Sequence, residues 1–262
     1  MLSYLSNKID EMRARAPETQ RVAFLSKQHY AHRGLHDALK KDAPAPLLEN
    51  SMGAFSAAIE AGYGMECDVQ PSADGAAMVF HDLDLKRLTG NEGAIDQMKT
   101  GDLRAMKLNG DNGTIPTIEE LLTMIAGRRP ILIEIKSDIS NFAPLCLSVR
   151  RALEGYTGQA AIMSFDPAIV RWFRKTAPHI VRGLVITEEG SKNLRGRGKR
   201  HSDLWLAKPD FLAYDIRDLP SKFASQQRAR GLPVLTWTVR TSANQETAQA
   251  NTDAMIFETP NG

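Results

Sequence analysis

Two acids and an imidazole stand close together in a stretch that reads as a β-hairpin. Glu66 and Asp68 alternate with Met65, Cys67 and Val69 in Gly64-Met65-Glu66-Cys67-Asp68-Val69-Gln70. Side chains on a strand alternate between faces, so Glu66, Asp68 and Gln70 share one side and the apolar residues the other. Core packing alone does not ask for a face with two carboxylates, because an unpaired buried charge is costly. The run turns through Ser72-Ala73-Asp74-Gly75, with Asp-Gly as the turn signal, and returns through Met78-Val79-Phe80-His81. A turn centred on Asp74-Gly75 predicts Asp68 and His81 directly opposite each other. One hairpin then holds the materials of a metal site beside a proton-transfer group.

A second strand repeats the pattern. In Pro130-Ile131-Leu132-Ile133-Glu134-Ile135-Lys136, three isoleucines share one face, while Glu134 and Lys136 share the other with Leu132. Other predicted strands are Gln28–Gly34, Ala160–Phe165, Val181–Ile186, Phe211–Asp215, Pro233–Val239 and Asp253–Glu258. With the two arms of the hairpin these make nine, one more than a (β/α)8 barrel needs. Only about five residues separate the hairpin arms, whereas a parallel crossover takes a dozen or more. The arm Met78–His81 is therefore the antiparallel return, and the other eight strands can run parallel with right-handed crossovers. His32, Arg33, Glu66, Asp68, Glu134 and Lys136 then fall near strand C-terminal ends, where such barrels keep their chemistry. The predicted fold is a TIM (β/α)8 barrel with a hairpin return after the second strand.

Helix signals support this arrangement. Glu49-Asn50-Ser51 opens a helix to Ala61, closed by Gly62 after the Pro-containing loop Ala43–Pro46. Thr117 and Glu120 form a capping-box pattern for a helix to about Ala126, and Asp166-Pro167 starts another. The first part of Met1–Gln28 reads as an amphipathic helix packed on the body of the protein. Residues 83–115 are mixed and Gly-rich, a small insertion. With no domain boundary or repeat, the expectation is one domain over 1–262, with 1–27 as an N-terminal helical extension.

Composition excludes several classes. The 262 residues are 42% hydrophobic and 24% charged, ordinary for a globular α/β protein. A net charge of +2 implies no polyanionic partner, so no nucleic acid is expected. Cys67 and Cys146 are too few for a disulfide framework and lack zinc spacing, which indicates a reduced, cytoplasmic protein. No apolar run approaches a membrane span, and Met1–Gln28 lacks the apolar core of a secretory signal, so no stable membrane anchor is expected. Gly-x-Ser-x-Gly, His-Glu-x-x-His and Walker spacings are absent. Nothing in the sequence specifies an oligomeric state.

Taken together, the motifs resemble the glycerophosphodiester phosphodiesterase family. The matching pieces are His32-Arg33-Gly34, Glu49-Asn50-Ser51, Glu66-Cys67-Asp68-Val69, Ser72-Ala73-Asp74-Gly75, Phe80-His81-Asp82, Ile115-Pro116-Thr117, Glu134-Ile135-Lys136 and Trp237-Thr238-Val239. They follow the family's order from Tyr30 to Pro260. The resemblance implies a TIM barrel, a divalent cation, and hydrolysis of small glycerophosphodiesters (deacylated phospholipids) to glycerol 3-phosphate and an alcohol. It further implies Glu66, Asp68 and Glu134 as metal ligands, His32 and His81 as the catalytic pair, and Arg33 and Lys136 as phosphate holders. Phe257-Glu258-Thr259-Pro260 departs from the family's Thr-Asp before the final Pro.

The chemistry suits these residue types. Three acids without a His-Cys ligand set favour Mg²⁺ or Ca²⁺ over zinc. Arg33 can grip two phosphate oxygens, and Lys136 adds a point charge. Two imidazoles can divide proton removal from the attacker and proton delivery to the leaving alkoxide. The attacker is water or the adjacent glycerol hydroxyl. Trp237 reads as a substrate wall by its motif, with core packing as the other reading. Asn50 reads as a helix cap or, with Glu49, as support for the site. His29, His36, His179 and His201 read as structural, with His36 close enough to His32 to line the barrel mouth. The basic run Lys192–His201 reads as a solvated loop. Its functional alternative is an attractor for anionic head groups. Two rival readings remain: a lysophospholipase D or sphingomyelinase D-like reaction on the same barrel, and a non-catalytic anion-binding barrel or a nucleic-acid binder using Lys192–His201. The presence of both His32 and His81 argues against the latter.

Overall fold

Among the described residues nine segments, most of them rich in apolar residues, form strands: β1 Tyr30–Ala31, β2 Gly64–Pro71, β3 Ala77–Val79, β4 Ile131–Ile135, β5 Ala160–Ser164, β6 Val181–Ile186, β7 Phe211–Asp215, β8 Val234–Val239 and β9 Ala254–Phe257. The structure is a computed structural model that describes residues 2–36, 47–109, 113–136 and 141–258. The Pro-containing loop Ala43–Pro46 and Thr259-Pro260 lie outside the described residues. Eight strands close a (β/α)8 barrel in the order β1-β9-β8-β7-β6-β5-β4-β2, with β2 returning to β1, while β3 lies outside as the antiparallel partner of β2. Helices follow the strands in sequence, beginning with Met52–Glu60 after β1 and ending with Ser242–Asn251 after β8. The strands β2, β4, β6 and β7 are buried almost throughout, as parallel strands covered on both faces must be.

Two compact units make up the chain. One comprises Tyr30–Ala160 with Phe257 and Glu258, and carries β1 to β4. Here the helix Met52–Glu60 is capped by Ser51, whose side chain accepts from Ala54 N, and Ile118–Ile125 carries the expected capping box of Thr117 and Glu120. Each such cap is worth about 1 kcal/mol. The insertion holds its own small core. Leu85, Leu88, Ile95, Leu103 and Leu108 pack with Met78, Phe80 and Ile115. At about 1.5–3 kcal/mol for each fully buried large apolar side chain, this cluster orders a segment whose local signals are weak.

Two expectations in this unit need correction. The first strand is two residues long, not seven, because Gly34 N donates to Ala31 O at 3.2 Å and turns the chain. Arg33 (φ 55°) and Gly34 (φ 82°) both adopt left-handed backbone there. A Cβ on Gly34 would stand 2.8 Å from the Ala54 backbone, so this tight approach requires glycine. The hairpin register is also one residue off. Val69 pairs with Val79, and Phe80 N donates to Asp68 O at 3.0 Å, so Phe80 and not His81 lies opposite Asp68. The loop is odd-numbered: Ser72 N donates to Ala76 O, enclosing Ala73-Asp74-Gly75, with Gly75 at φ 87°. Its centre is the Asp74 residue itself rather than the Asp74-Gly75 bond.

The other unit comprises Met1–His29 and Ala161–Ile256. The N-terminal helix Leu2–Arg13 packs against the helix Leu194–Ala207, as an amphipathic extension should. Asp10 is fully buried there, accepting from Trp205 Nε1 at 2.7 Å and Gln227 Nε2 at 2.8 Å, with His201 Nδ1 at 2.9 Å. The basic run is not a solvated loop. It opens Leu194–Ala207 with Asn193 as cap, and Lys199 pairs with Asp203 one turn on. Arg200 is buried, 3.0 Å from Glu188 Oε2 and donating to Ser191 O at 3.1 Å. Charge density alone suggested disorder, but one of these cations is a packing element. Arg200→Ala is therefore expected to destabilise by about 1.5–3 kcal/mol, because it removes the bonds to Glu188 and to Ser191 O. The exposed Arg195→Ala and Arg197→Ala should stay within about 0.5 kcal/mol. Denaturant melts compare the three; equal effects would mean that Arg200 is not held as described.

Candidate active site

Register gathers the acids. Parallel pairing sets Asp68 beside Glu134 and Glu66 beside Leu132. The pairing of Tyr30 with Gly64 and Ala31 with Met65 brings His32, just beyond β1, level with Glu66. One carboxylate oxygen from each of Glu66, Asp68 and Glu134 lies within 4.8 Å of the others, and all three residues are buried. Like charges at this spacing repel. Burial first, then Asp68 and Glu134, push the Glu66 carboxyl well above its ordinary range. Glu134 also rises, through burial chiefly, with Lys136 opposing and Asp68 adding.

Asp68 is the exception. Burial alone would raise it, but Lys136 and then Arg33 pull it well below the usual carboxylate range. Lys136 Nζ sits 2.7 Å from Asp68 Oδ1 and 2.6 Å from Glu134 Oε1. Arg33 Nε is 3.0 Å from Asp68 Oδ2, and its Nη1 donates to Glu49 Oε1 at 2.7 Å. Asn50 is not the helix cap; Ser51 is. Its Nδ2 donates to Asp68 Oδ2 at 3.0 Å, and its own N–H bonds Arg33 O at 2.9 Å. Asn50, like Arg33, stands in left-handed backbone (φ 57°), and such conformations cluster at sites that need fixed geometry.

Both predicted histidines carry a carboxylate on Nδ1. His32 Nδ1 lies 2.9 Å from Glu258 Oε1, and its Nε2 is 3.9 Å from Glu66 Oε2. Burial lowers the His32 pKa, with Glu258 opposing. His81 Nδ1 lies 2.7 Å from Asp82 Oδ1. Despite the shifted register, His81 acts on Asp68 and Glu134 as a favourable charge partner, because it lies beyond the paired part of β3. Its side chain is 32% exposed against 11% for His32. Asp82 is held in turn by Arg87, which also grips both oxygens of Glu49 at 2.8 and 2.9 Å. A chain of contacts thus runs from His81 through Asp82, Arg87, Glu49 and Arg33 to Asp68.

Asp82, Arg87 and Glu258 hold these side chains but carry no role in the sequence reading. Asp82 stood in a recognised motif without a role, and Glu258 stood out only as a departure. Arg87 sits on a four-residue helix in the insertion, where no local pattern marks it. Trp237 lies near the C-terminal end of β8 in the other unit. Its Nε1 donates to Ala213 O at 3.0 Å, and its ring meets Phe165 edge-on at 5.4 Å.

The three carboxylates pass a simple fit test for a hard cation. Glu66 Oε2 accepts from Arg33 N at 3.0 Å, while Glu66 Oε1 is buried with no hydrogen-bond partner. An orphaned buried carboxylate oxygen facing two more carboxylates suits an all-oxygen divalent cation site. Among the described residues no helix is long and apolar enough to cross a membrane.

The carboxylates, imidazoles, Arg33 and Lys136 thus gather at strand C-terminal ends, where (β/α)8 barrels keep their chemistry. The chain belongs to the glycerophosphoryl diester phosphodiesterase family, whose model matches residues 32–261. It is 31% identical over 163 residues to a glycerophosphodiester phosphodiesterase of Bacillus altitudinis, covering 58% of this chain and 63% of that protein. A namesake from Caldanaerobacter subterraneus is 31% identical over 59% of this chain and 65% of its own length. The chain thus spans less than two thirds of these two curated relatives. A human protein named lysophospholipase D is 32% identical over 45% of this chain and 39% of its own length. The solved glycerophosphodiester phosphodiesterase of Thermotoga maritima superposes with TM-score 0.69 at 25% identity, covering 87% of this chain and 92% of that one. A phosphodiesterase of Oleispira antarctica, solved with its product sn-glycerol-3-phosphate, shares the fold: TM-score 0.72, 22% identity, 89% and 93% coverage.

Proposed function

We propose that this chain hydrolyses glycerophosphodiesters to glycerol 3-phosphate and an alcohol, with a divalent cation, Mg²⁺ or Ca²⁺, held by Glu66, Asp68 and Glu134. The observation that carries this reading is the buried carboxylate cluster flanked by two carboxylate-held imidazoles. Family membership supports it. When bound, such a cation offsets charge on a phosphodiester and polarises its phosphoryl group.

The chain's own residues supply the rest. Arg33 and Lys136 are the cations available to phosphate oxygens, a guanidinium fork and a point charge. Glu49 and Asn50 hold Arg33 and Asp68 in place. With Nδ1 of each histidine committed to a carboxylate, Nε2 is the position that exchanges protons. The buried His32 accepts the proton of the attacking oxygen. The more exposed His81 delivers one to the departing alkoxide.

Asp82 acts through His81, fixing ring orientation and tautomer. Asp82→Asn is therefore expected to lower kcat by about 10-fold to 10²-fold, below the loss of a proton-transfer residue itself, with KM nearly unchanged. The pH profile of kcat should shift with it. A matching KM change with an unmoved profile would mean that Asp82 is only structural. The activity is tested by assaying glycerol 3-phosphate release from a panel of glycerophosphodiesters and lysolipids. Lysolipids belong in the panel because one relative bears the lysophospholipase D name.

A further inference from the structure

The segment that follows β1 folds back on itself. Arg33 and Gly34 stand in left-handed backbone, Gly34 N returns to Ala31 O, and Leu35 N bonds Ala54 O at 2.9 Å. This turn carries His36 back toward His32. Backbone pairing of His32 N with Phe257 O at 2.9 Å brings Glu258 alongside. One donor atom from each of His32, His36 and Glu258 lies within 4.8 Å of the others; both histidines are buried and Glu258 partly so. None of the three belongs to the carboxylate cluster.

The donor set differs in kind from that cluster. Two imidazoles and one carboxylate suit borderline transition cations, whereas three carboxylates suit Mg²⁺ or Ca²⁺. The spacing His32-x-x-x-His36 is also one that zinc sites use. In a tetrahedral zinc site, bonds of 2.0–2.1 Å place neighbouring donors about 3.3 Å apart. One pair here, His32 Nδ1 and Glu258 Oε1, stands at 2.9 Å. The other donors stand no more than 4.8 Å apart, so closing the three on one ion takes changes in separation of at most about 1.5 Å and leaves a fourth position for water.

We propose that His32, His36 and Glu258 form a second metal site, selective for Zn²⁺-class cations and separate from the carboxylate cluster. A cation there takes Nδ1 of His32 and replaces the hydrogen bond to Glu258. A neutral ring ligated at Nδ1 keeps its proton on Nε2, so it cannot accept another there. Occupancy therefore inhibits hydrolysis, a consequence that rests on the proposed role of His32, whereas binding does not.

The test titrates Co²⁺, a spectroscopic stand-in for Zn²⁺, into the full chain with excess Mg²⁺ filling the carboxylate cluster. One equivalent should bind and show visible bands of imidazole ligation. His36→Gln should weaken binding by about tenfold or more, the scale on which metal sites respond to altered ligation. The same variant should retain Mg²⁺-supported turnover, which shows that it is folded, and should need correspondingly more Zn²⁺ for inhibition. Glu258→Gln, read by Co²⁺ binding alone, is the second arm. If Co²⁺ binds wild type and both variants alike, or if excess Mg²⁺ or Asp68→Asn abolishes its binding, the second site is wrong. If instead Co²⁺ binding follows the variants but no diester is turned over, the activity assignment fails and the metal site stands.

Discussion

Asp68→Asn is expected to cut phosphodiester turnover by at least about 10³-fold, the loss of some 4 kcal/mol of transition-state stabilisation. Asp68 is the most heavily engaged acid of the site. Lys136, Arg33 and Asn50 all converge on it, and its carboxyl is held far below the ordinary range. Removing its charge weakens any cation site and loosens both proposed phosphate holders together. Glu66→Gln should lose activity on the same scale without weakening the cation-free fold. Glu66 is buried, is repelled by Asp68 and Glu134, and has one carboxylate oxygen without a partner. Neutralising it relieves that repulsion, so the thermal midpoint in chelator should hold or rise while turnover disappears. Melting curves and turnover on the same samples check both variants. A Glu66→Gln protein that is fully active, or that melts well below wild type in chelator, would contradict the carboxylate cluster as a cation site.

The second large effect concerns the imidazoles. A positioned proton-transfer group contributes about 10²–10⁴ in rate, so His32→Ala and His81→Ala should each lose that much on a natural diester. Neither loss should abolish cation binding to the carboxylates. The residue that protonates the leaving group matters less when the leaving group is already a good one. With a p-nitrophenyl ester, His81→Ala should recover most of its lost rate and His32→Ala little. Recovery by His32→Ala instead would exchange the two roles. No loss in either would remove the pair from the mechanism and make Lys136 the next residue to replace.

What the sequence revealed follows the range of the forces involved. Alternation in Met65–Gln70 and Ile131–Lys136 placed the acids on one face, and pairing of neighbouring strands did the rest. Strands such as Val181–Ile186 and Phe211–Asp215 formed over their predicted residues because local pattern and burial agree there. The hairpin register slipped because two side-chain contacts, Ser72 Oγ with Ala76 N and Asp74 with Thr100, set an odd loop around Asp74. His81 nevertheless joins the acids, because it extends past the paired strand.

The remaining features depend on distant partners. Asn50 reads from its neighbours as a cap or as support for the site, and its bond to Asp68, 18 positions on, favours the second reading. Arg87 acquires its role from Glu49, 38 positions away, and Glu258 from His32 at the other end of the chain. Arg200 looked like one charge of a solvated run until Glu188 and Ser191 closed around it. No local window contains such pairs.

The measurement that bears most directly on the central claim is glycerol 3-phosphate release from glycerophosphodiesters after exhaustive chelation, followed by add-back of Mg²⁺ or Ca²⁺. The account predicts no release in chelator, full recovery on add-back of one of the two cations, and no recovery in Asp68→Asn. Undiminished release in chelator, or none under any condition with any diester of the panel, would contradict it.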